Sequence, residues 1–187
     1  EITKTGYVLS WDKAYNKIAS DTTVNAVWTP VTVKLNYDAA GGNLTNTSKN
    51  ITYGGTYGDL ESPKRDGYTF TGWYTAANGG TQITKDTKVE VTSDQTVYAH
   101  WTANRYTVTF NADGGKVTAS TKNVTFGSTY GELPTPTRSG YTFAGWWTAV
   151  DSGEQINAES VVKTASDHVL YAHWVLNSVS VSYQTHV

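Results

Sequence analysis

The polar and apolar positions of the chain alternate in short runs. "VTVKLNY" (31–37) and "YTVTFNA" (106–112) place an apolar residue at every second position and run into the turns "DAAGG" and "DGG". A period of two is the mark of a strand with one face buried. "NITYG" and "NVTFG" predict a second strand, "GYTFTGWYT" and "GYTFAGWWT" a third, and "TVYAHW" and "VLYAHW" a closing one. No segment sustains a helical period. A short helix or 3₁₀ turn is expected at most near "STYGELPTPTRSG" (128–140). The expected class is mainly β (α+β), with little helix.

The runs repeat. Tyr68 and Tyr141, Trp73 and Trp146, and Trp101 and Trp174 are each separated by 73 positions, as are Gly41 and Gly114, Pro63 and Pro136, and Arg65 and Arg138. A constant offset leaves no room for an insertion, so the chain holds two complete modules, 30–103 and 104–176. Residues 1–29 match the back half of a third, with Gly6-Tyr7 on Gly67-Tyr68 and Trp28 on Trp101. The chain thus reads as a fragment that starts inside a repeat. Residues 177–187 alternate and are expected to form a linker or the first strand of a further module. Linkers such as "WTANRY" are short, which predicts an elongated, semi-rigid arrangement.

The three copies sort the faces. In the closing strand one face reads Val24, Ala26 and Trp28, or Val97, Ala99 and Trp101, or Leu170, Ala172 and Trp174. The other reads Asn25 and Val27 in one copy, but Tyr98 and His100, or Tyr171 and His173, in the complete ones. The steady face is expected to be core. "GYVLSW" is one residue shorter than "GYTFTGW", so a β-bulge is expected near Gly72 and Gly145. The bulge returns Trp73 and Trp146 to the core beside Trp101 and Trp174. The next column, Asp12, Tyr74 and Trp147, then faces outward. Tyr74, Tyr98, His100, Trp147, Tyr171 and His173 form the candidate contact surface. They either cover the sheet or pack against a neighbouring module, or they offer a stacking platform to a ligand. On the second reading Trp147→Ala leaves stability within about 1 kcal/mol, as at ordinary surface sites.

Composition narrows the chemistry. The 187 residues carry a net charge of −2, with no cysteine. Disulfides and thiolate metal sites are excluded, and no basic patch or long apolar run invites nucleic acid or membrane insertion. The recurrent histidines lack converging ligands, so no metal, cofactor or catalytic residue is expected. Asp94 and Asp167, before the closing strands, are read as turn residues that cap local amides. A module of about 70 residues is near the lower limit for an independent core, and its tryptophans supply the needed area.

"YTVTFNADGG", "YGELPTPTRSGYTFAGWWT" and "VLYAHW" resemble the Listeria–Bacteroides repeat, the B-repeat of internalin-type bacterial surface proteins. The motif is xVTFxxxGG, then YGxLPxPxRxGYTFxGWYT, then xYAxW. The resemblance covers both complete modules and the back half of the third. Ser62 and Lys64 around Pro63 depart from it, as does the short "GYVLSW". It implies tandem β-grasp-like modules without catalytic residues, in a protein that is secreted or held at the bacterial cell surface. The expected role is a spacer or stalk with an adhesive contact to a host or microbial glycan or a surface protein, besides neighbouring repeat modules. A carbohydrate-binding accessory module of a secreted enzyme is the alternative.

Overall fold

The computed structural model describes residues 2–14 and 20–183. The chain divides into two compact units, Glu1–Thr102 and Ala103–Val187.

The first unit opens with a hairpin of β1 (Tyr7–Trp11) and β2 (Ala26–Pro30), paired without a register shift from Tyr7↔Pro30 to Trp11↔Ala26. A five-stranded sheet follows, in the order β4-β3-β7-β5-β6. Its strands are β3 (Thr32–Asp38), β4 (Ser48–Thr52), β5 (Tyr68–Tyr74), β6 (Gln82–Ile83) and β7 (Gln95–Ala103). The second unit repeats this as β9-β8-β12-β10-β11, with β8 (Arg105–Asn111), β9 (Thr121–Thr125), β10 (Tyr141–Trp147), β11 (Gln155–Ile156) and β12 (His168–Leu176). The first and last long strands of each module are neighbours and run parallel, Leu35↔Gln95 to Asp38↔Tyr98 and His168↔Val108 to Tyr171↔Asn111. The pairings β3–β4, β5–β6, β8–β9, β10–β11 and β10–β12 are antiparallel.

The described residues contain no helix. This corrects the allowance for one at 128–140. Two prolines within that stretch remove backbone donors, and it runs as a loop joined to the glycine turn by the Lys116↔Thr137 bridge. Residues 177–183 form no strand either, and 184–187 lie outside the described residues.

Each module has its own core. In the first, Leu35, Val89 and Val97 are fully enclosed and Trp73 is 2% exposed; in the second, Val108, Val162, Leu170 and Trp146 repeat the set. Trp73 packs on Tyr37 at 4.7 Å and on the edge of Phe70 at 5.4 Å, and Trp146 on Phe110 and Phe143 at 4.9 and 5.4 Å. Their indole N–H groups donate to the carbonyls of Glu61 and Pro134, each at 2.8 Å. The loop between second and third strands thus satisfies the one polar atom that burying a tryptophan brings.

The bulge is present. The β10–β12 register shifts between Phe143 and Gly145, and Gly145 and Gly72 take φ of 137° and 140°. The unbulged hairpin lacks that extra residue. Three other expectations need correction. Trp101 and Trp174 are half-buried lids packed on the edge of the core through Phe70 and Phe143, at 5.5 and 5.6 Å. The steady face is not core in the hairpin, a sheet of only two strands: Ala26 is exposed, Trp28 half-buried, and Trp11, in phase with Trp73, 43% exposed. Asp94 and Asp167 do not cap local amides: their Oδ1 atoms accept from the amides of Lys34 and Thr107, at 2.8 and 2.7 Å, sixty positions earlier.

Candidate functional site

The outer face of each module is built by the bulge and the closing strand. Alternation on β7 sends Val97 and Ala99 inward and leaves Tyr98 and His100 half-buried on the other side; β12 does the same with Tyr171 and His173. The strand after the bulge resumes with Trp73 inward and Tyr74 outward. Tyr74 then lies flat on His100, with ring centroids 4.0 Å apart and planes at 9°, and Trp147 on His173 at 4.7 Å and 7°. Trp147 also stands opposite Tyr171 in the ladder. All three candidate residues of the second module therefore share one patch, and the first module repeats the stacked pair.

The histidines are anchored. Nε2 of His100 donates to the carbonyl of Ala76 at 3.0 Å, and Nε2 of His173 to that of Ala149 at 2.9 Å. Each ring ties the closing strand to the turn after the third strand and serves as a shelf for the aromatic ring. The hairpin shows what replaces this. Asp12 holds the column of Tyr74, and its carboxylate accepts from the backbone and side-chain amides of Asn25, at 2.9 and 2.7 Å. These bonds hold the Asp12 carboxyl below the usual carboxylate range. The column therefore carries either an aromatic pair or a carboxylate–amide pair, and both link the same two strands.

The stack changes the expectation for Trp147. Its indole Nε1 is buried with no hydrogen-bond partner. Trp147→Ala loses a ring stack and the area beneath a half-buried indole, and should cost about 1–3 kcal/mol. Trp147→Tyr, the residue of the first module, keeps the stack and removes the orphaned donor, so it should remain within about 1 kcal/mol of wild type. Equilibrium urea unfolding distinguishes the two. A neutral Trp147→Ala would return the residue to pure display.

A second feature lies beside the stack. The guanidinium of Arg65 sits 3.9 Å over the Tyr68 ring and donates to the carbonyl of Ala40 at 3.0 Å. Arg138 repeats this on Tyr141 at 4.0 Å and on the Asp113 carbonyl at 2.9 Å. Trp101 and Trp174 donate from Nε1 to Ala39 and Ala112 in the same turns, at 2.9 and 3.0 Å. Arginine, tyrosine, tryptophan and the glycine turn are thus one unit. Against it lies a groove of about 420 Å³ in the first module, lined by Arg65, Tyr68, His100, Trp101 and the turn Ala77–Gly79. The matching groove of the second module, about 340 Å³, is lined by Arg138, Tyr141, His173 and Trp174 with Asp113 and Asp151. The recurrence of Arg65 and Arg138 was the available signal for it. Among the described residues no group of three or more His, Asp or Glu could hold a metal ion, and no helix is long and apolar enough to cross a membrane.

Such a chain is a tandem array of small β modules that share one internal scaffold of tryptophan, arginine and glycine. The family model of the Listeria-Bacteroides repeat domain matches it twice, at 34–100 and 106–173, and the chain belongs to that family. It is similar to internalin H of Listeria monocytogenes, 41% identical over 116 residues, which are 62% of this chain and 21% of that protein. It is also 28% identical over 174 residues to a protein of Evansella cellulosilytica provisionally named a membrane protein, covering 93% of this chain and 26% of the relative. The chain thus spans about a fifth to a quarter of the length of these curated relatives.

Proposed function

We propose that this chain is a non-catalytic spacer or stalk segment of a bacterial protein that is secreted or held at the cell surface, built from β-grasp-like modules at 30–103 and 104–176. The family membership and the surface-protein relatives support the setting. One geometric observation carries the mechanical reading. The first strand of each module lies parallel to its last, hydrogen-bonded along four register pairs. A load enters at the start of one strand and leaves at the end of the other. It therefore shears the whole ladder at once, whereas an antiparallel terminal pair opens one bond at a time. The Asp94 and Asp167 carboxylates reinforce the clamp, since each binds the first strand from just before the last. The β1–β2 hairpin has the opposite geometry, with its ends at the open Tyr7↔Pro30 pair.

Pulling the chain from its two ends tests this. Two force peaks are expected, each releasing about 250 Å of contour length for a module of this size, at forces well above that which opens the hairpin. Asp94→Ala should lower the first module's peak and cost about 1–3 kcal/mol through the exposed Lys34 amide and the lost charge-assisted bond. Modules that open at hairpin-like force would refute a mechanical role.

A further inference from the structure

The two grooves differ in charge. In the second, Nη1 of Arg138 stands 3.9 Å from the Asp113 carboxylate, and Asp151 completes the wall. In the first, Ala40 and Asn78 occupy those two places, and Arg65 forms no ion pair with a described residue. The Arg65 guanidinium is held over the Tyr68 ring and fixed through Nη1. Its remaining N–H edge is pre-oriented, and a planar fork suits a carboxylate. The other walls are the half-buried indole of Trp101, the His100 ring and the turn Ala77-Asn78-Gly79; the Asn78 side-chain amide can bond hydroxyl groups. The volume is within the range of small-molecule sites.

We propose that the groove at Arg65 binds a carboxylate-bearing sugar, of the uronic or sialic acid type, and that the equivalent groove at Arg138 is closed to it by Asp113 and Asp151. The carboxylate sits on the free edge of Arg65, and the pyranose lies along Trp101 and His100 with its hydroxyls toward Asn78. This site is separate from the mechanical role: its failure leaves the force peaks untouched.

The test is an NMR titration of the full ¹⁵N-labelled chain with sodium glucuronate, with glucose and inorganic phosphate at matched ionic strength as controls. Glucuronate should move the amides of Asn78 and Gly79 and the Trp101 indole N–H in a saturable manner, with no matching change at Asp151 or Trp174. Arg65→Gln should weaken binding at least about tenfold, the loss of one charge-assisted contact. Arg65 also braces a turn, so the second module supplies an independent arm. Asp113→Ala with Asp151→Asn installs there the residues of the first groove and should create binding at Arg138. Equal responses to phosphate or glucose would overturn the sugar-acid assignment, as would a silent first groove or a double variant that gains nothing.

Discussion

Trp73→Ala should unfold the first complete module. The indole is 2% exposed, touches Tyr37 and Phe70, and donates its N–H to the Glu61 carbonyl. Large aromatic-to-alanine changes in a core cost about 3–5 kcal/mol, and the orphaned carbonyl adds to this unless water reaches it. Small domains have about 5–15 kcal/mol in total, and one of this size sits near the bottom of that range. Loss of the dispersed ¹⁵N–¹H signals of residues 30–103 is the expected readout. Trp11→Ala is the internal comparison: it holds the same column in the hairpin but is 43% exposed, so it should cost no more than about 1 kcal/mol. For a domain of this size 1 kcal/mol moves the melting temperature by about 4–8 °C. A Trp73→Ala protein that loses less than that would show that the ring does not carry the core.

That contrast marks how far the fold was legible. Internal copies of unequal length exposed the bulge, because a strand that gains one residue must either flip its faces or kink. The buried set at Trp73, Trp146, Val97 and Leu170 followed from the face assignment. Strand direction did not, since alternation is the same whichever way a strand runs, and the parallel terminal pair had to be seen. The depth of Trp101 and Trp174 was also hidden. Periodicity assigns a face, whereas burial depends on what covers it, and their cover is a glycine turn about sixty positions away. Asp94 and Asp167 misled for the same reason: aspartate before a strand is common turn chemistry, but the amides they bind lie on another strand.

The candidate surface was legible as a set of outward columns, though not in its bonding. Nothing in the alternation says that His100 and His173 would donate to Ala76 and Ala149, or that the adjacent aromatic would lie flat on them. The arginine groove was missed although Arg65 and Arg138 recur at the same offset. An arginine in a loop ordinarily reads as solvated, and its partners, a tyrosine three positions on and a carbonyl 25 positions back, become neighbours only when the loop closes over the turn.

The same closure makes Gly115 the least replaceable position of the second module's turn. A Cβ there would stand 2.5 Å from Cζ2 of Trp174, 2.8 Å from the Thr137 carbonyl and 3.1 Å from the Ala112 carbonyl. Neither carbonyl can yield freely. That of Thr137 accepts from the Lys116 amide at 2.7 Å, and that of Ala112 accepts both the Gly115 amide at 2.9 Å and the Trp174 indole at 3.0 Å. The indole, the one neighbour that can rotate, must yield to the closest contact, and the Thr137 carbonyl must shift for the second. Gly115→Ala should therefore push Trp174 off its carbonyl, cost about 3 kcal/mol, the upper end for overpacking, and shift tryptophan fluorescence to the red as the lid opens. Combining it with Trp174→Leu separates steric from backbone causes. If the ring is the obstacle, the double variant is more stable than the sum of the single losses by at least about 1 kcal/mol, within the usual range of coupling between touching residues. Simple additivity would mean that the glycine is required by the backbone carbonyls and that the indole is a bystander.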